Sequence, residues 1–385
     1  MILSNVNNTP LRPFEPIVLD CLGEISTAIL KSPVGRQFPD LTAFAFYIRK
    51  ANLQKLALNL NPVEVRLGRG LCFHIAPANI PINFAFTWVF SLLAGNANVV
   101  RLPSKDFPQV DALLNIINAT LEKYPELQER NAFVKYPRTD NETTAAYCQM
   151  ADCRMIWGGD RTIAAIKALP TRPRCVDIAF ADRYSVALIN ADMVLKADDD
   201  HIARLAQDFY NDTYLMDQNA CSSPQVILWE GEKVAGAQER FWAAVEEVAK
   251  AKYVLQDAVA VDKYTLFCEE SVGNENIKSA ARKGNLLYRV GLKSLSPDII
   301  AHRGKAGFFF EYTLQDRQEL FSVITEKFQT ITQFGVNATE LVQQLVSAHL
   351  RGIDRIVPIG KAMDIGVFWD GHDLIRELSR VVALS

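Results

Sequence analysis

With 385 residues the chain is too long for one ordinary core, and 49% hydrophobic with 22% charged content describes a globular protein of two or three domains. Its 41 basic and 44 acidic residues leave a formal charge of −3, which argues against a broad nucleic-acid surface while leaving room for a local basic pocket. The seven cysteines, at 21, 72, 148, 153, 175, 221 and 268, form no CxxC pair and no zinc-type spacing, so they read as reduced cytoplasmic thiols with no metal to hold.

The opening "MILSNVNNTPLRPFEP" has no basic segment followed by an apolar one, so no secretory signal is expected. From about residue 65 strands and helices alternate. "GLCFHIA" reads as a strand, "PINFAFTWVFSLLAG" as a buried helix ended by Gly95, and "NVVRLPS" as a second strand. The helix is far shorter than the roughly 20 apolar residues of a membrane span. "VDALLNIINATLEKY" follows as an amphipathic helix, "AFVKYP" as a strand, "NETTAAYCQM" as a helix, "CRMIWGG" as a strand and "DRTIAAIKAL" as a helix. "CVDIAF" and "SVALIN" are further strands. This alternation predicts a doubly wound parallel α/β sheet covered on both faces, with ligands at the carboxyl ends of its strands.

After about residue 190 a second α/β unit opens with the helix "DDHIARLAQDFYNDTY", passes Cys221, and ends with strands near "GFFFEYTL" and "FQTITQFG". The closing "IDRIVPIGKAMDIGVFWDGHDLIRELSRVVAL" reads as a strand and helix returning to the body of the fold. The expected division is therefore 1–188, 189–350 and a returning segment 351–385.

Two distant stretches carry the chemistry. In "YLMDQNACSSPQVILWEG", Cys221 sits on a turn among small neighbours, Ala220, Ser222 and Ser223, which leave the sulfur accessible. In "HIAPANIPINF", a strand ends at Ile75, and Asn79 lies on a turn between Pro77 and Pro81. Asn79 has two readings, a turn former through its own side chain or an amide aimed at a reacting oxygen. A thiolate attacking an acyl carbon needs donors for the oxyanion that forms, and a cysteine N–H with one asparagine amide suffices.

Taken in order, "APANIPINFAF", "LLAGNANVVRLPS", "IWGGD", "DQNACSSPQ" and "TEKFQT" resemble the aldehyde dehydrogenase superfamily across most of the chain. Within it the chain most resembles the acyl-CoA reductase branch that includes the reductase subunit of the bacterial bioluminescence fatty-acid reductase. "GIDRIVPIGKAMDIGVFWDG" is similar to the shorter members of that branch. The resemblance implies an aldehyde dehydrogenase-like fold, with a doubly wound cofactor domain at 1–188 and an α/β catalytic domain at 189–350. It implies that Cys221 is the nucleophile, that Asn79 completes the oxyanion hole, and that the Ile75 to Pro77 segment borders the cofactor. Gly158 and Gly159 match the turn where the cofactor pyrophosphate meets a helix N-terminus, a place where glycine admits close approach and the helix dipole favours an anion. Asp160 beside it would repel a pyrophosphate and is expected instead to cap the helix and face away.

Arg101 matches a lysine that contacts the adenosine ribose. Where many NAD-dependent members carry a glutamate for the ribose hydroxyls, this chain has Ser104 followed by Lys105, which favours NADPH over NADH. Glu326 and Phe328 match a glutamate-x-phenylalanine pair that holds the nicotinamide ribose and ring, although a surface acid and a core aromatic would look the same. The chain departs from the oxidising members at "DIAFADRYSV", where Ala179 or Phe180 stands in place of the glutamate that activates water, with Asp177 and Asp182 nearby. Loss of that base suits an acyl group handed to hydride rather than to water.

The activity implied is NAD(P)H-dependent reduction of a fatty acyl-CoA or an acyl-protein thioester to an aldehyde through an acyl-cysteine. The resemblance further implies an acyl-protein synthetase as partner and a homo-oligomer, yet the β-hairpin that some members exchange is not evident in the sequence. Two alternatives stay open. One is a cysteine acyltransferase or thioesterase using one of the five histidines, and the other is a non-catalytic subunit of an acyl-activating complex.

Overall fold

The computed structural model describes residues 6–61, 63–77 and 80–383. They form two compact units, Met1–Ala181 with Ile365–Ser385, and Asp182–Asp364.

The first unit is built on five parallel strands in the spatial order Asn131–Val134, Ala97–Arg101, Leu71–Ile75, Cys153–Trp157, Val176–Phe180. Strand residues alternate between two faces, as the pleat requires. Cys72, Val100, Cys153, Met155 and Ile178 pack into one core with the helices Asn83–Leu93 and Pro108–Leu121. Leu71, Phe73, Ile75, Ala97 and Val99 pack on the other face against Tyr147 and Cys148 of the helix Asn141–Met150. Helix Asn83–Leu93 is buried at every position, and its sequence is accordingly apolar apart from Asn83, Thr87 and Ser91, which share one face. Gly95 ends the run at φ +92°, where an added Cβ would lie 2.2 Å from the Leu11 carbonyl oxygen.

The N-terminal helices belong to this same core. Pro16–Lys31 starts with proline in its first turn and buries Val18, Leu22, Ile25 and Ile29 at helical spacing. The returning segment closes the unit: Ser379–Val381 pairs antiparallel with Arg66–Gly68, and the Asn96 side chain donates to the Leu378 carbonyl at 2.8 Å.

The second unit holds seven strands in the order Arg355–Pro358, Phe328–Phe334, Tyr184–Asn190, Pro224–Glu230, Phe308–Thr313, Leu287–Leu292, Ile277–Lys283. All neighbouring pairs are parallel except the last. That pair is an antiparallel hairpin turning at Gly284, which is at φ +54°, so the sequence concealed a hairpin that the fold contains. Its outer strand is exposed and carries Lys278, Arg282 and Lys283, charges that discourage pairing at an open edge.

The division differs from the one expected. The strand Tyr184–Asn190 lies in the second sheet between Phe328–Phe334 and Pro224–Glu230, so the first unit stops at Ala181 rather than at 188. Likewise Arg355–Pro358 extends the second sheet, and the chain rejoins the first unit at Ile365 rather than at 351. Strand periodicity shows that a segment pairs but not which sheet it joins.

Candidate active site

In the first unit, the residues expected at the cofactor lie along the carboxyl edge of the sheet. Ile75 pairs with Arg101 on one side and Ile156 on the other, and Arg101 pairs with Val134, so one row across the sheet sets Arg101 beside Ile75 and one residue short of Trp157. The strand order reverses direction at Leu71–Ile75, which makes the loops after Ile75 and Trp157 the topological switch point where open α/β sheets bind ligands.

Ile75 is buried and Pro77 half-buried in the loop that follows. Asn79 lies outside the described residues. Arg101 is half-buried with its guanidinium carbon 4.6 Å from the centre of the Tyr136 ring, while Ser104 is exposed and the Lys105 ammonium lies 5.2 Å from the Phe107 ring centre. Among the described residues neither Arg101 nor Lys105 is paired with a carboxylate. Lys135 is, since it bonds Asp106. Arg101 and Lys105, together with Arg138, which donates to the Thr162 hydroxyl at 3.3 Å, are cations available to an anionic ligand at this edge.

The two glycines differ in a way that bears on function. At Gly158 an added Cβ would come within 3.1 Å of the Thr162 Cβ, so glycine serves the packing of the helix Asp160–Lys167. Gly159, the N-cap of that helix, has φ −68° and nothing within 4 Å of an added Cβ. No neighbour and no backbone strain demands glycine there, so its missing side chain leaves open space at the helix N-terminus. The preceding Trp157 carries a buried indole N–H with no hydrogen-bond partner. These two observations fit a cofactor whose pyrophosphate approaches this turn. Asp160 is not the cap expected: Gly159 holds that position, and Asp160 is exposed in the first turn, where an acid suits the helix dipole.

Sequence reasoning missed the aromatic stack at this edge. Trp157 and Phe180 lie face to face at 3.9 Å with 13° between their planes, and His372 of the returning segment meets Phe180 edge-on at 5.6 Å. Phe180, one of the two residues that the resemblance sets against the absent glutamate, thus presents an apolar ring at this edge. The acids near it are committed elsewhere. Asp177 accepts two bonds of 2.6 Å from the buried Arg154, and Asp182 accepts two of 3.0 Å from Arg303.

In the second unit, Cys221 is exposed on the turn between the helical segment ending at Met216 and the strand Pro224–Glu230. It stands at the amino edge of a parallel sheet, not the carboxyl edge, because the chain reaches it by a helix-to-strand connection. Asp217 and Gln218 adopt left-handed backbone, at φ +50° and +61°. A cost of that kind persists only where the surroundings over-determine the geometry. Here the buried Gln218 side chain donates to the carbonyls of Pro224 at 3.2 Å and Phe308 at 2.9 Å and accepts the Gly307 N–H at 3.3 Å. The buried Ser185 hydroxyl donates to the Cys221 carbonyl at 2.7 Å. The turn is thus fixed from two neighbouring strands while its sulfur stays accessible, the arrangement a nucleophile needs.

Glu326 and Phe328 are placed at the same amino edge, since Phe328 pairs with Tyr184 and Ser185 with Pro224. Glu326 is exposed and 3.7 Å from Arg351. Phe328 is fully buried with its ring edge-on to Tyr184 at 5.4 Å, which makes it the floor under this edge.

Comparison with known proteins accords with this architecture. A family model described as acyl-CoA reductase (LuxC) matches residues 49–270. No curated protein matches the chain. Among solved structures, an NAD-dependent benzaldehyde dehydrogenase from Corynebacterium glutamicum is 12% identical at a TM-score of 0.60, over 94% of this chain and 82% of that one. Aldehyde dehydrogenase 21 from Physcomitrella patens, solved with succinate, is 12% identical at a TM-score of 0.66, over 95% and 85%. Proline utilization A from Bradyrhizobium japonicum is 14% identical at 0.64, over 95% of this chain but only 42% of that one. The fold is that of the aldehyde dehydrogenases, and with its family model spanning more than half the sequence, this chain belongs to the acyl-CoA reductase (LuxC) family of aldehyde-related oxidoreductases.

Proposed function

We propose that the protein reduces an activated acyl group, a fatty acyl-CoA or an acyl-protein thioester, to the aldehyde through an acyl-Cys221 intermediate. The observation that carries this reading is the rigid turn presenting an exposed Cys221 in a chain whose family is acyl-CoA reductase. The Cys221 thiolate adds to the thioester carbon; the carbonyl π pair moves to oxygen, then returns as the leaving thiolate departs and takes a proton. Asn79 is assigned the oxyanion amide by the resemblance, and this role is part of the proposal.

Gly159, Trp157, Arg101 and Lys105 would hold a nicotinamide dinucleotide, with the two cations favouring the 2′-phosphate of NADPH. When bound, that group supplies the hydride that reduces the acyl carbon. The protein's part is then to protect the thioester. Asp177 and Asp182 are held in ion pairs, and Ala179 or Phe180 stands where the resemblance puts a water-activating acid, which supports transfer of the acyl group to hydride rather than to water.

The test is to mix the protein with a long-chain acyl-CoA without nucleotide and follow released CoA and intact mass. One acyl group per chain on the peptide containing Cys221, absent in Cys221→Ala and slowed on the order of a hundredfold in Asn79→Ala, supports the reading. Continuous turnover to free acid would replace it with the thioesterase reading.

A further inference from the structure

The segment 359–364, just before the chain leaves the second unit, is held in a way that no backbone regularity requires. Asp212, 1% exposed on the helix Asp199–Thr213, accepts the Gly360 N–H at 2.6 Å and the Ala362 N–H at 2.9 Å. From the opposite side Arg355 donates to the carbonyls of Ala362 and Lys361, each at 3.2 Å, and of Asp364 at 3.0 Å. One buried carboxylate gathers the loop's donors and one guanidinium its acceptors. Gly360, at φ +94°, lets the chain pass Asp208, whose Cβ would stand 2.7 Å from an added Cβ.

This clamp has one outward product. Met363 is half-buried, and its thioether sulfur lies 3.8 Å from the hydroxyl of Ser222, the residue next to Cys221. The clamp also reaches the nucleophile turn directly, because the Ser223 hydroxyl donates to the Asp212 carbonyl at 2.7 Å. A buried carboxylate is expensive to maintain for packing alone; this one bonds the loop through its side chain, while the main-chain carbonyl of the same residue takes the bond from Ser223 on the nucleophile turn.

We propose that the 360–364 loop is the wall beside Cys221 that selects the acyl group by bulk, with Met363 as the selecting side chain and Asp212 as the positioning residue that holds the loop. The inference rests on the reading of Cys221 as the acyl-accepting thiol. A flexible, polarizable thioether suits contact with an alkyl chain. Burial together with the neighbouring Asp208 and Asp364 pushes the Asp212 carboxyl up to about 7, against the two N–H bonds that pull it down. Asp364 is itself countered by Lys361 at 3.1 Å. Protonation turns one acceptor oxygen into a donor facing an N–H, so acid loosens the clamp.

The test compares alkylation of Cys221 by N-methylmaleimide and by the bulky N-pyrenylmaleimide, with peptide mass mapping to separate it from the other exposed thiol, Cys268. The ratio of the two rates cancels the thiolate fraction and reports access alone. Relative to wild type, Met363→Ala should raise the bulky-to-small ratio about fivefold and Met363→Trp lower it by a similar factor, with Cys268 unchanged. In wild type the ratio should rise as pH falls through about 7, and in Asp212→Asn it should be pH-independent. A ratio indifferent to both Met363 variants overturns the selecting wall. A pH-independent wild-type ratio, a measurement that needs no variant to fold, overturns the role of Asp212. The same variants given short- and long-chain acyl-CoA separate the two claims: shifted maleimide ratios without any Cys221 acylation contradict the acyl reading itself.

Discussion

Asp212 shows how much one side chain can carry without touching the reacting atoms. As an acid near the end of the amphipathic run "DDHIARLAQDFYNDTY" it looks like a solvated helix residue, yet the fold buries it under the loop 360–362. Its folded-state pKa lies above the unfolded carboxylate value, so between about pH 4 and pH 7 the native state binds the extra proton. Stability from this group is fully present below about pH 4 and is lost as pH rises to 7. Asp212→Asn should therefore gain stability relative to wild type across that interval, by at most about 4 kcal/mol, and show no further change above it. Denaturant unfolding of both proteins at several pH values checks the sign. The exposure of Cys221, by contrast, follows from its small neighbours, while the Ser185 hydroxyl on its carbonyl is invisible in the sequence, because that contact joins residues 36 positions apart.

At the scale of single elements, the two glycines of the turn Trp157–Gly158–Gly159 differ in their surroundings. Gly158→Ala must displace Thr162 at 3.1 Å and should destabilise the first unit by about 1 kcal/mol. Gly159→Ala meets nothing within 4 Å, so its stability should stay within about 0.5 kcal/mol of wild type. On the proposed cofactor site its Cβ would instead stand where the dinucleotide binds, and nucleotide KM should rise at least tenfold. Equal losses of stability in both variants would remove the cofactor argument from Gly159. The pair "GG" was visible in the sequence, but only coordinates tell the two residues apart. The stack of Trp157 on Phe180 was equally hidden, since strand alternation places aromatics on a face without saying which strands are adjacent.

Over the whole molecule, the alternation of strands and helices was sufficient to foresee two α/β units and the parallel first sheet. It could not assign Tyr184–Asn190, which follows Val176–Phe180 after three residues and yet pairs in the second sheet. Nor could it see the hairpin Ile277–Lys283 with Leu287–Leu292, whose outer strand is exposed and lacks the apolar alternation of a half-buried one. Both failures have one cause, that register and partner are tertiary facts. The catalytic proposal names residues of both units, and its most direct test measures the whole reaction. NADPH and NADH consumption should be followed with a medium- and a long-chain acyl-CoA, with aldehyde trapped as product, in wild type and in Cys221→Ala. The account predicts stoichiometric aldehyde from wild type, faster with NADPH, and none from the variant. Acylation of Cys221 with neither nucleotide consumed would contradict it and leave a protein that carries acyl groups without reducing them.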